Sequence, residues 1–252
     1  MLFKLVLMTF VFNFMGCYCD QLLANLREQQ SFINSKQLAI LNGKANTSHG
    51  YVGLLQTAIG SCSATLIGPR TLLTAKHCVY ENNVLVPIES ISYLQQNGYE
   101  TAEIGAESFT VHPKEDLAVI HLNSSPEPSY INIHLSAEPP EIGEWVELVG
   151  FGDYDNNNNS DGIRKVAENI ISDVFANLCV FCGMSEKRGN VCYGDSGGPS
   201  IVTRNDKKYI IGVNVRSSVH CGSAGYSIRV DTYRDWIMTF LSKENSEFNP
   251  GS

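Results

Sequence analysis

The chain has 252 residues, 43% of them hydrophobic and 17% charged, with a formal charge of -8, which is enough for one large all-β domain or two small ones. Such a composition excludes a chain that is disordered throughout. The acidic balance, with no run of Lys and Arg to reverse it locally, excludes non-specific binding to the phosphates of nucleic acid.

Residues 1–19 carry Lys4, an apolar run from Leu5 to Met15 broken only by Thr9 and Asn13, then Gly16 and two cysteines. This is the pattern of a cleaved secretory signal, and the run is shorter than the ~20 residues that span a bilayer. A secreted, extracellular protein with no membrane partner after signal cleavage is therefore expected. Asp20 to Ala39 is polar, Gln-rich and aperiodic, and residues 20–39 read as a tail or pro-segment. Six cysteines follow: Cys62, Cys78, Cys179, Cys182, Cys192 and Cys221. An even count in a secreted chain implies disulfides, whose pairing the spacing does not choose. Cys179-x-x-Cys182 is also half of a zinc motif, but no second pair stands at ligand spacing, so no metal is expected.

From Ile40 onward, short apolar or alternating runs are separated by Gly, Pro, Asn and Asp: Tyr51 to Ala58, Ser63 to Ile67, Leu117 to Leu122, Trp145 to Phe151, Val166 to Ile171 and Tyr209 to Val215. Strands at this spacing predict an all-β barrel or sandwich. The Pro-rich stretch Glu127 to Glu144, with Pro139-Pro140, marks a link between two halves, and the Asn-rich run Asp153 to Asp161 an exposed loop. One helix is predicted over Asp231 to Leu241. Tyr233, Trp236, Ile237, Phe240 and Leu241 fall at the spacing of one helical face, with Asp231 as N-cap and a frayed tail from Ser242.

Three segments carry chemistry. In Cys192-Tyr193-Gly194-Asp195-Ser196-Gly197-Gly198-Pro199, glycines on both sides of a serine permit sharp turns and close approach of a substrate. A serine hydroxyl needs a base to become a nucleophile, and backbone N–H groups of such a turn can face a developing oxyanion. Leu73-Thr74-Ala75-Lys76-His77-Cys78 supplies a histidine. In His112-Pro113-Lys114-Glu115-Asp116-Leu117-Ala118-Val119-Ile120 an acid opens an apolar strand, where a partly buried carboxylate needs a partner such as His.

Together these segments resemble the chymotrypsin/trypsin family of serine peptidases, whose Thr-Ala-Ala-His-Cys, Asp-Ile-Ala-Leu-like and Gly-Asp-Ser-Gly-Gly-Pro motifs occur in this order. The resemblance runs from Ile40 to about Leu241. Gly150-Phe151-Gly152 is similar to the family's Gly-Trp-Gly turn. It implies two packed six-stranded antiparallel β-barrels with a C-terminal helix, the first barrel over about 40–135, the second over about 136–230 and the helix over about 231–241, in a peptidase domain of 40–252. It implies a triad in which Ser196 attacks, His77 moves the proton and Asp116 orients the imidazole, with Gly194 and Ser196 N–H groups as the oxyanion hole. No cofactor is implied.

The family's disulfides imply Cys62–Cys78, Cys192–Cys221 and, across a shortened loop, Cys179–Cys182. Ile40-Leu41-Asn42-Gly43 resembles the start of a mature peptidase, which implies a zymogen whose freed Ile40 amine pairs with Asp195. Ala39 stands where trypsin-activated zymogens have Lys or Arg, so another activating protease, or a cut after Lys36 with trimming, is expected. Asn190 falls at the base of the primary pocket, with Gly225 in its wall. A neutral amide there predicts weak cleavage after Arg and Lys. Arg216 and Ser217 replace residues of the family's substrate-pairing Ser-Trp-Gly segment, and Arg216 reads either as a selector of acidic side chains or as a solvated charge. Asn46, Asn123 and Asn158 head glycosylation sequons. The expected partners are protein or peptide substrates, an activating protease and protein protease inhibitors. Two rival readings are a catalytically inactive homologue that binds or regulates, and a structural disulfide-rich domain. Three motifs in catalytic order argue against the second.

Overall fold

The computed structural model describes residues 40–97, 100–126, 133–152, 161–218 and 221–248. The expected signal and pro-segment, part of the Pro-rich link, nearly all of the Asn-rich loop and Asn158 lie outside the described residues. The strands are β1 (Lys44–Ala45), β2 (Val52–Thr57), β3 (Gly60–Leu66), β4 (Thr71–Thr74), β5 (Tyr80–Glu81), β6 (Val84–Leu85), β7 (Ser92–Asn97), β8 (Glu100–Val111), β9 (Ala118–Leu122), β10 (His134–Leu135), β11 (Trp145–Gly150), β12 (Lys165–Ile170), β13 (Asp173–Val174), β14 (Leu178–Cys182), β15 (Pro199–Arg204), β16 (Lys207–Ser217) and β17 (Ala224–Arg229). One α-helix, α1 (Val230–Phe248), follows.

Strands β2-β3-β4-β9-β8-β7 close into a barrel. Leu55, Ala64, Leu72, Val119 and Ile120 on its strands are completely buried. The second half is a nine-stranded sheet whose six longer strands run β12-β11-β15-β16-β17-β14, flanked by short β1 and β13, with β10 added in parallel to β16. Val146, Ala167, Cys179, Phe181, Val202 and Ile211, from five of those strands, meet in one core, as they do when a sheet curls into a barrel. Between β12 and β14 the curl is bridged by a side chain rather than a ladder: Asn169 Nδ2 donates to Gly183 O at 3.2 Å and Gly189 O at 2.5 Å.

The helix departs from expectation at both ends. It begins at Val230, so Asp231 lies within its first turn and takes a paired contact from the Arg229 guanidinium, Nε to Oδ1 at 3.0 Å. It also continues to Phe248. The apolar face stops near Leu241, but Lys243, Glu244 and Glu247 are good helix formers and the backbone ladder needs no buried face to continue.

A buried cation joins the halves. Arg164, just before β12, is 1% exposed and faces backbone carbonyls instead of a carboxylate. Its Nη1 donates to Val52 O at 2.9 Å and Gln96 O at 3.2 Å, and its Nε to Asn46 O at 3.2 Å. Burial pulls its pKa below the ordinary arginine value, with Tyr93 and Tyr51 opposing. Arg164→Ala leaves those carbonyls unpaired and is expected to lower the unfolding free energy by about 3 kcal/mol. Arg164→Lys recovers only part of it, because one ammonium does not reproduce the planar fork. Urea denaturation of both variants measures the difference.

Candidate active site

The sequence places a histidine directly after a buried strand, and the fold turns it outward. Strand β4 ends at Thr74 and the chain makes a single 3-10 turn over Lys76–Cys78. The disulfide Cys62–Cys78, with Cα atoms 6.1 Å apart, ties that turn to β3. His77 is left at the surface while Cys78 is buried. Opposite it, Asp116 ends the turn before β9. His77 Nδ1 donates to Asp116 Oδ2 at 2.7 Å, and the His77 backbone N–H donates to Asp116 Oδ1 at 2.9 Å. A carboxylate accepts only, so Nδ1 carries a proton, and Nε2 is the acceptor in the neutral imidazole. Burial pushes the Asp116 carboxyl up, but the hydrogen bonds and charge of His77, with the Lys76 backbone N–H, outweigh it and hold the pKa below the usual carboxylate value.

Ser196 arrives from the second half on a loop shaped by Asp195. The Asp195 side chain is fully buried and accepts from Gly152 N–H and Cys192 N–H, each at 2.8 Å. A Cβ on Gly152 would lie 2.6 Å from that carboxylate carbon, so the Gly150-Phe151-Gly152 turn needs its second glycine. Gly197 has φ +83, and a Cβ there would meet Thr74 Oγ1 at 2.0 Å and Ser63 O at 2.1 Å. The Ser196 loop therefore lies directly on β3 and β4 of the first barrel. Among the described residues, the N–H groups of Gly194 and Ser196 donate to no backbone carbonyl, which leaves both available to a ligand in the cleft.

That cleft, of about 360 Å³, is lined by His77, the Cys62–Cys78 bridge, Gly194, Ser196, Val215, Arg216 and Ser217, with Ile59, Glu81 and Tyr193 on its rim. His77 and Ser196 share it without a hydrogen bond between them in this structure. Such pairs are commonly loose until substrate binds. Arg216 is exposed, has no ion-pair partner among the described residues and lies 5.0 Å from the Tyr226 ring centre. Asn190 and Gly225 lie elsewhere, against each other: a Cβ on Gly225 would be 2.3 Å from Asn190 Oδ1. Asn190 is fully buried and spends its amide on Phe181 O at 2.9 Å and on Val191 N–H at 2.9 Å. Ile40 is fully buried in the second core with a left-handed φ of 40, and the Leu41 backbone bridges that of Asn190. Cys192–Cys221 is joined beside them. Among the described residues, the one cluster of candidate metal ligands is Cys62, His77 and Cys78, whose two sulfurs are bonded to each other. Asn46 Nδ2 donates to Ser48 Oγ at 3.1 Å, and Asn123 is exposed.

The expected Cys179–Cys182 bridge does not form; Cys179 is a free, buried thiol. Both residues sit on extended β14, and an offset of three points their side chains to opposite faces with Cα atoms ~10 Å apart, beyond the ~7 Å that a disulfide spans. The sequence reading also missed two polar residues that hold the site. Ser63 N–H donates to Ser196 O at 2.7 Å, and Ser63 Oγ links Gly194 O and Phe151 N–H, each at 3.0 Å. Asn214 accepts from Gly197 N–H at 2.6 Å and donates its own N–H to Gly198 O at 2.8 Å. The one sequence signal of Ser63 is a polar residue at a buried position of an apolar strand, which must have a buried partner, whereas Asn214 acts on the loop through its backbone, which any residue supplies.

A sequence model of the family described as Trypsin matches residues 40–237. The chain is 30% identical to "Serine protease SP24D" of Anopheles gambiae over 211 residues, covering 76% of each. It is 25% identical to "Phenoloxidase-activating factor 1" of Holotrichia diomphalia over 222 residues, covering 70% of this chain and 60% of that one. It is also 25% identical to "Snake venom serine protease rhinocerase 4" of Bitis rhinoceros over 256 residues, covering 91% and 98%.

Burial pushes the Cys179 thiol up to about 12, with the nearby Arg229 charge opposing. A thiol held protonated and covered does not react. Iodoacetamide labelling of the native protein at pH 8 is expected to leave Cys179 unmodified, and labelling after unfolding without reductant to modify it.

Proposed function

The chain belongs to the trypsin family of serine proteases, and from that membership we propose that it is a secreted serine endopeptidase that works through His77, Asp116 and Ser196. The observation that carries this is the 2.7 Å hydrogen bond from His77 Nδ1 to Asp116 Oδ2, made by a histidine that lines the same cleft as Ser196.

In this reading His77 Nε2 takes the Ser196 Oγ proton as Oγ attacks the scissile carbonyl carbon. The carbonyl π electrons move onto oxygen, which the N–H groups of Gly194 and Ser196 receive. Collapse expels the amine, which takes the proton back from His77, and leaves an acyl ester on Ser196. Water activated by the same nitrogen then hydrolyses the ester. Asp116 holds the tautomer and stabilises the imidazolium.

The chain is made as a zymogen in this proposal. The strained, buried backbone of Ile40 is already seated in the second core, and cleavage after Ala39 frees its amine for Asp195. The protein acts on protein or peptide substrates and meets an activating protease and protein inhibitors outside the cell. Asn46 and Asn123 carry glycans. Asn190, buried beside Gly225 outside the cleft lining, brings no charge for an Arg or Lys side chain, and Arg216, which lines the cleft, favours an acidic substrate side chain. Among the described residues, no helix is long and apolar enough to cross a membrane.

Incubating the protein, cut to expose Ile40, with a diverse peptide library is expected to yield cleavage that Ser196→Ala abolishes. Asp116→Asn is expected to lower kcat by about 10⁴-fold. A folded, cut protein that cleaves nothing would hand the function to the inactive, binding homologue.

A further inference from the structure

Asp116 is delivered by the turn 112–117, and one side chain organises that turn. His112 Nδ1 accepts from Glu115 N–H at 2.9 Å and from Lys114 N–H at 3.3 Å. The His112 backbone N–H donates to Leu117 O at 2.8 Å, which closes the turn around Asp116. The His112 carbonyl accepts from Lys76 Nζ at 3.1 Å, and Lys76 directly precedes His77. The imidazole itself is held from outside the barrel. It meets Tyr233 and Trp236 of α1 edge-on, with ring centres 5.1 Å and 4.9 Å away. Glu115 Oε2 accepts from Asn177 Nδ2 of the second half at 3.2 Å.

We propose that His112 is a positioning residue for the catalytic pair, coupling the docking of α1 to the placement of Asp116 against His77; the proposal rests on the peptidase reading above. Two backbone N–H groups point at Nδ1, and each can only donate. Nδ1 must therefore present its lone pair, and His112 is neutral with its proton on Nε2. Protonating Nδ1 sets a donor against two donors and undoes the turn.

The charged and titratable groups around the ring are Glu115, Lys76 and Lys114 on the first half and Tyr233 on α1. Burial lowers the His112 pKa, Lys76 and Lys114 add to this, and Glu115 opposes. A histidine whose folded pKa is depressed contributes stability that is fully present above its ordinary value of about 6.5 and is lost as pH falls through the folded value.

Two variants separate positioning from packing. His112→Phe keeps a ring against Tyr233 and Trp236 but has no acceptor. It is expected to keep its Tm while kcat falls ~10–100-fold at unchanged KM. His112→Asn loses the ring but puts Oδ1 where Nδ1 stood. It is expected to lower Tm while kcat stays within about twofold of the parent, since Asn caps such turns itself. The acid limb of log kcat is expected to steepen to a slope of about two in the parent and to stay near one in His112→Asn. Equal kcat in His112→Phe and the parent, or kcat that follows Tm across the pair, overturns the proposal while leaving the peptidase reading intact. A folded, cut parent that hydrolyses no peptide overturns both.

Discussion

A carboxylate sealed from water at Asp195 is the constraint around which the site is built. Burying an unpaired charge costs several kcal/mol, so the chain must bring donors to it, and the backbone N–H groups of Gly152 and Cys192 answer at 2.8 Å. Each answer has a structural consequence. The first requires a glycine at 152, because a Cβ would occupy the carboxylate's space. The second closes the turn from Cys192 to Asp195, in which Gly194 takes a φ of +89 beside the cleft that Gly194 and Ser196 line.

The remaining ties join the first barrel and the second half into one surface. The first barrel supplies His77 and Asp116, and the second half supplies Ser196. In the proposed reaction neither is useful unless the register between them holds to a fraction of an ångström. Ser63 provides that register from β3: its N–H takes Ser196 O, and its hydroxyl spans Gly194 O and Phe151 N–H. Arg164 ties carbonyls before and within β2 and in β7 to the strand that begins at Lys165. The helix stacks Tyr233 and Trp236 on His112, whose Nδ1 accepts from two N–H groups of the turn that carries Asp116. The cleft that holds His77 and Ser196 is the seam that these ties leave open.

The motifs were legible because chemistry leaves them little freedom. A serine loop lying on another barrel tolerates only glycine at 197, and a histidine needs its carboxylate within a hydrogen bond, so Thr74–Cys78, Asp116–Ile120 and Gly194–Pro199 stand out in the bare sequence. Strand β8 did not stand out. A bulge between Ala106 and Ser108 shifts its register, so the apolar alternation Ile104, Ala106 breaks phase and resumes at Phe109, Val111. Strand β14 misled in another way. Two cysteines three residues apart look adjacent in sequence, and only an extended backbone shows that they face apart. Ser63 and Asn214 were illegible as site residues, since each acts through partners more than ten residues away whose approach only the closed barrels reveal.

That His77, Asp116 and Ser196 form a single reacting unit is tested most directly by covalent labelling of the cut protein with a fluorophosphonate, read by mass spectrometry of the intact chain and its peptides. The expected result is one adduct on Ser196, lost on unfolding the protein first and slowed by orders of magnitude in His77→Ala. Labelling that is equally fast without His77, or an adduct on any other residue, would contradict it.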